Sequence, residues 1–167
     1  AGMGKSIELE RLSAHFSIGN SKFYPCLSFL NKFVDQNIED FLPAGWESVP
    51  ESGLLIFLDG LDEIEGKNKN NAIRKIEFFS ERYPNCSMVI SCRRNFYKTA
   101  TSKFSGTIAK FDVYTLLDLD FKSIEGYVKQ KIGIKSESFF NEIMESNISD
   151  LIRIPFYLSA LLEVYAA

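Results

Sequence analysis

The chain has 167 residues, of which 46% are hydrophobic and 25% are charged. This length favours one compact domain, and the composition excludes a disordered tail and fits a globular core. With 19 basic and 22 acidic residues the net charge is −3, so the chain lacks the overall positive field that holds nucleic acid through its phosphates. We therefore expect no direct nucleic-acid binding, and we expect a local site to carry any function.

Membrane segments and zinc-binding patterns are missing from the sequence. The longest apolar stretches, 54–58 and 154–162, are shorter than the roughly 18–20 residues that a membrane helix needs. The first residues lack the basic segment and apolar core of a signal peptide. The cysteines form no C-x-x-C pair, and a single histidine leaves too few ligands for zinc. These observations predict a cytoplasmic protein without membrane contact.

Strands and helices alternate along the first two thirds of the chain. Apolar residues three and four positions apart predict helices, and short apolar or aromatic runs predict strands. The continuous apolar run 54–58 is typical of a strand buried on both faces, which implies a parallel sheet. In chain order, the predicted elements are a helix over 6–18, a strand over 23–30, a short helix over 34–42, and then a strand over 54–58, a helix over 73–83, a strand over 87–90 and a strand over 108–114.

The last part of the chain is predicted to be helical. A helix that begins at Phe121 is ended by Gly133. Ser136 is placed to cap a second helix, which runs to residue 144, and Pro155 is placed in the first turn of a third, which runs to residue 165. We therefore predict an α/β domain over 1–120, followed by the start of a helical subdomain over 121–167.

The first residues carry half of a phosphate-binding motif. Gly2-Met3-Gly4-Lys5-Ser6 matches the end of G-x-x-x-x-G-K-[ST]. In that motif the glycines let backbone N–H groups close on phosphate oxygens, the lysine reaches the β- and γ-phosphates, and the hydroxyl binds Mg²⁺. Counting back from Gly4 puts the first glycine of the motif before Ala1. Taken alone, this short segment favours a solvated N-terminal loop over a phosphate-binding one.

A second polar segment follows the buried strand. The run 54–58 ends in Asp59-Gly60-Leu61-Asp62-Glu63, at the carboxyl end of a strand, where open α/β sheets bind their ligands. An acid in this position holds the metal ion in P-loop enzymes. Arg93 ends the next predicted strand and is well placed for a phosphate. Solvated turns are the alternative for both segments, but together with the glycine-lysine-serine they predict a nucleotide site.

These segments resemble a known family. Residues 54–63, Leu-Leu-Ile-Phe-Leu-Asp-Gly-Leu-Asp-Glu, resemble the Walker B signature of NACHT domains, which belong to the STAND class of signal-transduction NTPases. The glycine after the first acid separates this pattern from the Asp-Glu pair of AAA+ enzymes. Residues 89–93 resemble the sensor strand that ends in Thr-Ser-Arg, 111–127 resemble the strand and helix that follow it, and 154–158 resemble the Asn-Pro-Leu element of the helical subdomain.

The resemblance covers most of the chain and implies its fold. That fold is a three-layer α/β P-loop NTPase with a parallel sheet, related to AAA+ proteins and followed by the start of a helical subdomain. In this class the strand that feeds the phosphate loop lies between the strands that correspond to 87–91 and 108–114. The resemblance therefore implies that this strand precedes Ala1, and that the chain is an interior piece of a longer protein.

The resemblance also implies which residues bind the nucleotide and its metal ion. Gly2, Gly4, Lys5 and Ser6 would form the remaining part of the phosphate loop, with Lys5 on the terminal phosphates. Ser6 and Asp59 would hold Mg²⁺. The implied cofactors are therefore ATP or ADP together with Mg²⁺.

Further residues receive implied roles in catalysis and in base binding. Asp62 and Glu63 would polarise the attacking water, and Arg93 would sense the γ-phosphate. Pro155 would pack near the base. Charge stabilisation would carry most of the catalysis, since phosphoryl transfer relies mainly on positioning and electrostatics.

The implied function is a nucleotide-dependent switch. Slow ATP hydrolysis would move a larger protein of the innate-immune or defence type between closed and assembly-competent forms. The implied partners are other copies of the same NTPase domain, together with flanking sensor and effector domains. Two alternatives remain open. One is a scaffold that holds its nucleotide without hydrolysis, which is favoured by Glu8 and Arg94, where the family usually has an apolar residue and a proline. The other is a metabolic P-loop kinase, for which no acceptor-site motif is found.

Overall fold

The computed structural model describes residues 2–18, 22–96, 108 and 111–166. The chain forms two compact units. The first, Ser6–Tyr114, contains the strands and is called the α/β unit below. The second joins Ala1–Lys5 to Thr115–Ala167 and is called the helical unit. Within the described ranges, no helix has the length and apolar character that crossing a membrane requires.

The α/β unit is built on a parallel sheet of three strands, as the alternating sequence pattern predicts. The strand order is β1-β2-β3, and both neighbouring pairs are parallel. Phe29 pairs with Asp59, and Leu58 pairs with Ile90, so all three strands end at the same edge of the sheet. The strands are β1 (Tyr24–Phe29), β2 (Leu54–Asp59) and β3 (Ser87–Ile90).

The central strand β2 is covered on both faces, which confirms the prediction made from its continuous apolar run. All six of its residues are buried. Successive side chains point to opposite faces of a sheet. Accordingly, Ile56 belongs to the core that contains the buried residues of α2 (Lys69–Arg82), whereas Phe57 packs with Leu9 of α1 (Lys5–Ser17). The sheet is therefore flanked by a helix on each face.

The helical unit contains three helices around a core of its own. They begin and end close to the predicted positions, and Gly133 follows the first of them, as expected. Asp120 caps that helix by accepting a hydrogen bond from the Ser123 amide at 2.8 Å, and the hydrogen bonds from Ser123 lower the pKa of the Asp120 carboxyl. The helices are α3 (Phe121–Ile132), α4 (Ser136–Glu145) and α5 (Pro155–Ala166).

The predicted helix over 34–42 is wrong. The structure has only a short 3₁₀ turn there, Ile38–Phe41. The Asn37 amide donates to the Asp40 carboxylate at 2.9 Å, in a capping interaction that begins a new turn at this point. Short polar side chains of this kind compete with the backbone hydrogen bonds of a longer helix.

The predicted strand over 108–114 is not found either. Ile108 and residues 111–114 have no strand conformation, and residues 109 and 110 lie outside the described part of the chain. A strand needs a neighbour with which its N–H and C=O groups can pair. No strand of the described chain runs beside 111–114, because β3 pairs with β2 alone. Val113 and Tyr114 are exposed as a result.

Ser136 does not cap α4 as predicted. A 3₁₀ turn, Gly133–Lys135, leads directly into the helix. Ser136 is therefore already helical, with φ −62° and ψ −39°, and Lys135 takes the capping position without a side-chain hydrogen bond. The helix is present as predicted, but its start is set by the preceding turn.

Candidate functional site

The carboxyl ends of β2 and β3 lie side by side, and four of the predicted site residues lie there. Because the two strands are parallel and Leu58 pairs with Ile90, the residues that follow them meet at one edge of the sheet. Asp59 and Ser91 are both buried there, at 7% exposure each. We call this cluster the acidic edge; its members are Asp59, Asp62, Glu63, Ser91 and Arg93.

Ser91 connects the ends of the two strands through its backbone and its side chain. Its amide donates to the Leu58 carbonyl at 2.9 Å, and its own carbonyl accepts from the Leu61 amide at 3.0 Å. The Ser91 hydroxyl donates to Oδ1 of Asp59 and accepts from the Gly60 amide at 2.9 Å. These four hydrogen bonds fix both the turn after β2 and the orientation of the Asp59 carboxylate.

Asp62 and Arg93 form a two-point contact across the same edge. The Arg93 amide donates to Oδ1 of Asp62 at 2.8 Å, and Nε of Arg93 lies 2.9 Å from Oδ2. The Asp62 side chain is 9% exposed, whereas that of Arg93 is 59% exposed. The structure thus brings together two residues with different predicted roles. Asp62 is expected to polarise the attacking water, and Arg93 is expected to sense the γ-phosphate.

Glu63 has the most open position among the three acids. Its residue is exposed, unlike Asp59, which is buried. A Cβ atom added at Gly60 would lie 3.1 Å from the Glu63 carboxyl group, so the glycine leaves room for this side chain to lie over the turn. An exposed carboxylate beside a buried one can accept a proton from a bound water molecule.

The donor atoms at the acidic edge suit a magnesium ion that arrives with phosphate. Across the described ranges, no group of three or more His, Cys, Asp or Glu residues is arranged to hold a metal ion. Mg²⁺ is commonly held by one or two carboxylates together with substrate phosphates and water, rather than by a cage of protein ligands. The acidic edge offers one buried carboxylate of this kind, Asp59, and α1 carries an exposed hydroxyl, Ser6, in its first turn.

The predicted phosphate-loop residues form a separate element, here called the glycine segment (residues 2–5). Gly2 and Gly4 both have φ of +79°, a conformation that glycine adopts at little cost. The Gly2 carbonyl accepts a hydrogen bond from the Phe156 amide at 3.2 Å. A Cβ atom at Gly2 would lie 2.7 Å from that of Phe156. The structure therefore places Gly2 against the first turn of α5, which begins at Pro155.

Ser91 is the site residue that the residue-by-residue assignment missed. In the sequence, Ser91 is part of the segment 89–93 that resembles a sensor strand, and no role was assigned to it. The available signal was a small polar residue directly after a short apolar strand, beside a strand that ends in an acid. That signal is weak, because serine is common at strand ends; the pairing with Asp59 depends on the register of the two strands.

Comparisons with known proteins add no assignment. No protein-family model matches the chain, and no curated protein matches it. The functional proposal below therefore depends on the acidic edge, the glycine segment and the sequence motifs that they carry.

Proposed function

We propose that this chain binds ATP or ADP with Mg²⁺, as the P-loop NTPase module of a NACHT-type protein of the STAND class. The observation that carries the proposal is the acidic edge. A buried aspartate ends the central strand, a serine from the neighbouring strand orients it, and an arginine lies two residues beyond that serine. Ligands bind at this edge of open α/β sheets.

The phosphate groups would be bound by the glycine segment and the start of α1. Gly2 and Gly4 both have φ of +79°, and left-handed residues of this kind occur in the backbone nests that bind anions. Lys5 is the first residue of a helix of 13 residues, so its charge adds to the positive end of the helix dipole. Pro155 begins the helix that contacts Gly2, which supports its assignment to the nucleotide pocket.

The metal ion would be bound by Asp59 and Ser6. When bound, Mg²⁺ supplies positive charge to the β- and γ-phosphate oxygens. Asp59 contributes a carboxylate oriented by Ser91, so little reorganisation is needed when the charged ligand arrives. The hydroxyl of Ser6 contributes a neutral oxygen from the first turn of α1.

Slow hydrolysis is the reaction that we assign to the bound ATP. The oxygen of a water molecule forms a bond to the γ-phosphorus, the bond from that phosphorus to the β,γ-bridging oxygen breaks, and ADP and inorganic phosphate leave. Glu63 would accept the proton that the water loses; its residue is exposed, so a water molecule can reach it. Arg93 would stabilise the charge on the γ-phosphate once it leaves Asp62.

A scaffold that holds its nucleotide without hydrolysis is the second candidate, and one observation favours it. Asp62 and Arg93, which are both assigned to hydrolysis, are bound to each other. If that pair persists with ATP bound, neither residue can act on water or on phosphate. Single-turnover hydrolysis in the full-length protein, compared with the Glu63→Gln variant, separates the two candidates.

We further propose that the nucleotide state switches a larger protein between closed and assembly-competent forms. The partners would be other copies of the same NTPase domain and flanking sensor and effector domains. The motif resemblance over most of the chain supports this part of the proposal. Comparing the oligomeric state of the full-length protein in ATP and in ADP tests it, and identical states in both nucleotides would contradict it.

The binding step is tested by titrating ATP and ADP into the full-length protein with Mg²⁺ or with EDTA. We expect binding to be strengthened by Mg²⁺, and we expect the Asp59→Asn variant to lose that dependence because it removes the anionic oxygen. Asp118→Asn is the matched control, because Asp118 is exposed and lies outside the acidic edge. Wild-type protein that binds neither nucleotide in either condition would overturn the proposal.

A further inference from the structure

We infer that Ser91 is a positioning residue, whose hydroxyl sets the orientation of the Asp59 carboxylate and thereby the affinity of the nucleotide site for Mg²⁺. The inference rests on the proposed function, and it assigns a role to a residue that no motif role covers. It starts from the pair of hydrogen bonds at one oxygen atom. Ser91 Oγ donates to Asp59 Oδ1 and accepts from the Gly60 amide.

The direction of these hydrogen bonds is fixed by their chemistry. The Gly60 N–H can only donate, so it uses a lone pair of the serine oxygen. The serine proton is then directed to the Asp59 carboxylate, which as an anion can only accept. One lone pair of the carboxylate is used in this way, and the hydrogen bond restricts rotation of the carboxylate, so the lone pairs that remain keep a fixed orientation.

Burial makes the arrangement specific to this serine. Asp59 and Ser91 are each 7% exposed, so water competes weakly for their hydrogen bonds. The Ser91 backbone is held by Leu58 and Leu61. Removal of the hydroxyl would therefore leave the Ser91 main chain in place, while the Asp59 carboxylate and the Gly60 amide each lose a hydrogen-bond partner. A group that holds a metal ligand in this way commonly changes metal affinity about 10- to 100-fold when it is removed.

Ser28 supplies a matched control on the opposite neighbour of β2. It is 9% exposed, it pairs in register with Leu58, and its hydroxyl donates to the Phe41 carbonyl at 2.5 Å. The Ser28→Ala variant thus removes a buried serine hydroxyl with a hydrogen bond, as Ser91→Ala does, but that bond does not involve an acid of the site.

The experiment measures nucleotide affinity of the full-length protein as a function of Mg²⁺ concentration, in wild type and in Ser91→Ala, Ser91→Thr and Ser28→Ala. We expect Ser91→Ala to need about 10- to 100-fold more Mg²⁺ while its affinity in EDTA is unchanged. Threonine keeps the hydroxyl and should restore the wild-type requirement, and Ser28→Ala should match wild type. Amide hydrogen exchange without nucleotide gives a second readout, in which Gly60 should exchange faster in Ser91→Ala.

Each outcome separates the inference from the proposed function. If Ser91→Ala has the Mg²⁺ requirement of wild type, the serine is structural only and the inference is wrong, while the nucleotide site stands. If wild type binds no nucleotide with or without Mg²⁺, the proposed function is wrong and the inference falls with it. Should Ser91→Ala fail to fold, Ser91→Cys takes its place, because a thiol is a weaker donor and should give a smaller shift in the same direction.

Discussion

The acidic edge and the glycine segment are held in different ways. At the acidic edge, residues at the ends of β2 and β3 and in the turns that follow bond to each other, with Ser91 on Asp59 and Arg93 on Asp62. In the glycine segment, a single backbone hydrogen bond joins Gly2 to Phe156, and Lys5 forms no ion pair with any residue of the described ranges. Two of the three acids at the acidic edge, Asp59 and Asp62, are thus bonded to other protein groups, whereas Lys5 has no ion-pair partner among the described residues.

This difference has a physical consequence for binding. Groups that are already oriented contribute to charge stabilisation without reorganisation when the ligand arrives. An unpaired lysine loses side-chain entropy on binding but has no protein partner to leave. We therefore expect substitutions at the acidic edge to change Mg²⁺ binding and the rate of hydrolysis. Substitutions in the glycine segment should change the affinity for the nucleotide.

The largest expected effect is on hydrolysis in the Glu63→Gln variant. Glutamine keeps the size of the side chain but cannot accept the proton from water, so single-turnover hydrolysis should fall about 10²- to 10⁴-fold. ATP affinity should stay as in wild type, because the acid acts on water only during the reaction. An equal loss of binding would show that Glu63 holds the nucleotide and would remove the distinction between the two regions.

The next effect is on affinity in the Lys5→Ala variant. A hydrogen bond from a charged donor contributes about 1.5–3 kcal/mol, so its loss should raise the dissociation constant for ATP roughly 10- to 150-fold. Lys129→Ala is the control, since Lys129 is an exposed lysine that pairs with Glu125 at 2.7 Å in the helical unit. Isothermal titration of the full-length protein measures both. Wild-type affinity in Lys5→Ala would contradict the assignment of the glycine segment to the phosphates.

A third prediction compares two glycines that share one backbone conformation. Gly2 and Gly4 both have φ of +79°, so alanine at either position is strained by about 1–3 kcal/mol. Only at Gly2 would the added Cβ also meet a neighbour, Phe156, whereas nothing lies within 4 Å at Gly4. Gly2→Ala should therefore lower the thermal stability of the protein more than Gly4→Ala does. Equal losses would show that the contact with α5 adds nothing.

Patterns that depend on neighbouring residues were predicted well from the sequence. The apolar run of β2 and the proline that begins α5 both specify their elements locally, because burial on two faces and a fixed φ are properties of a short segment. The helix over 34–42 was predicted wrongly, since the capping bond between Asn37 and Asp40 starts a 3₁₀ turn that periodicity does not reveal.

Contacts between distant segments could not be predicted in the same way. Ser91 and Asp59 are far apart in the sequence, and only the parallel register of β2 and β3 brings them into hydrogen-bonding distance. The same register joins Arg93 to Asp62. The strand expected over 108–114 failed for the same reason. Its residues have strand propensity, but they have no strand partner in the described chain. The sequence thus indicated that these residues end neighbouring strands, but not the way in which they pair, and their roles stay predictions.

The smallest expected effect is on stability in the Asp62→Asn variant. Arg93 is 59% exposed, so solvent screens its pairing with Asp62, and such pairs contribute about 0–1 kcal/mol. Asparagine keeps an oxygen that can accept from the Arg93 amide, so the charge alone is removed. We expect a loss in unfolding free energy of at most about 1 kcal/mol, which shrinks as salt is added. A double-mutant cycle with Arg93→Ala measures the coupling directly. A coupling well above that range would mean that the pair stabilises the acidic edge as strongly as a buried contact does, so that Arg93 would not be released for a phosphate and the scaffold without hydrolysis would be the better assignment.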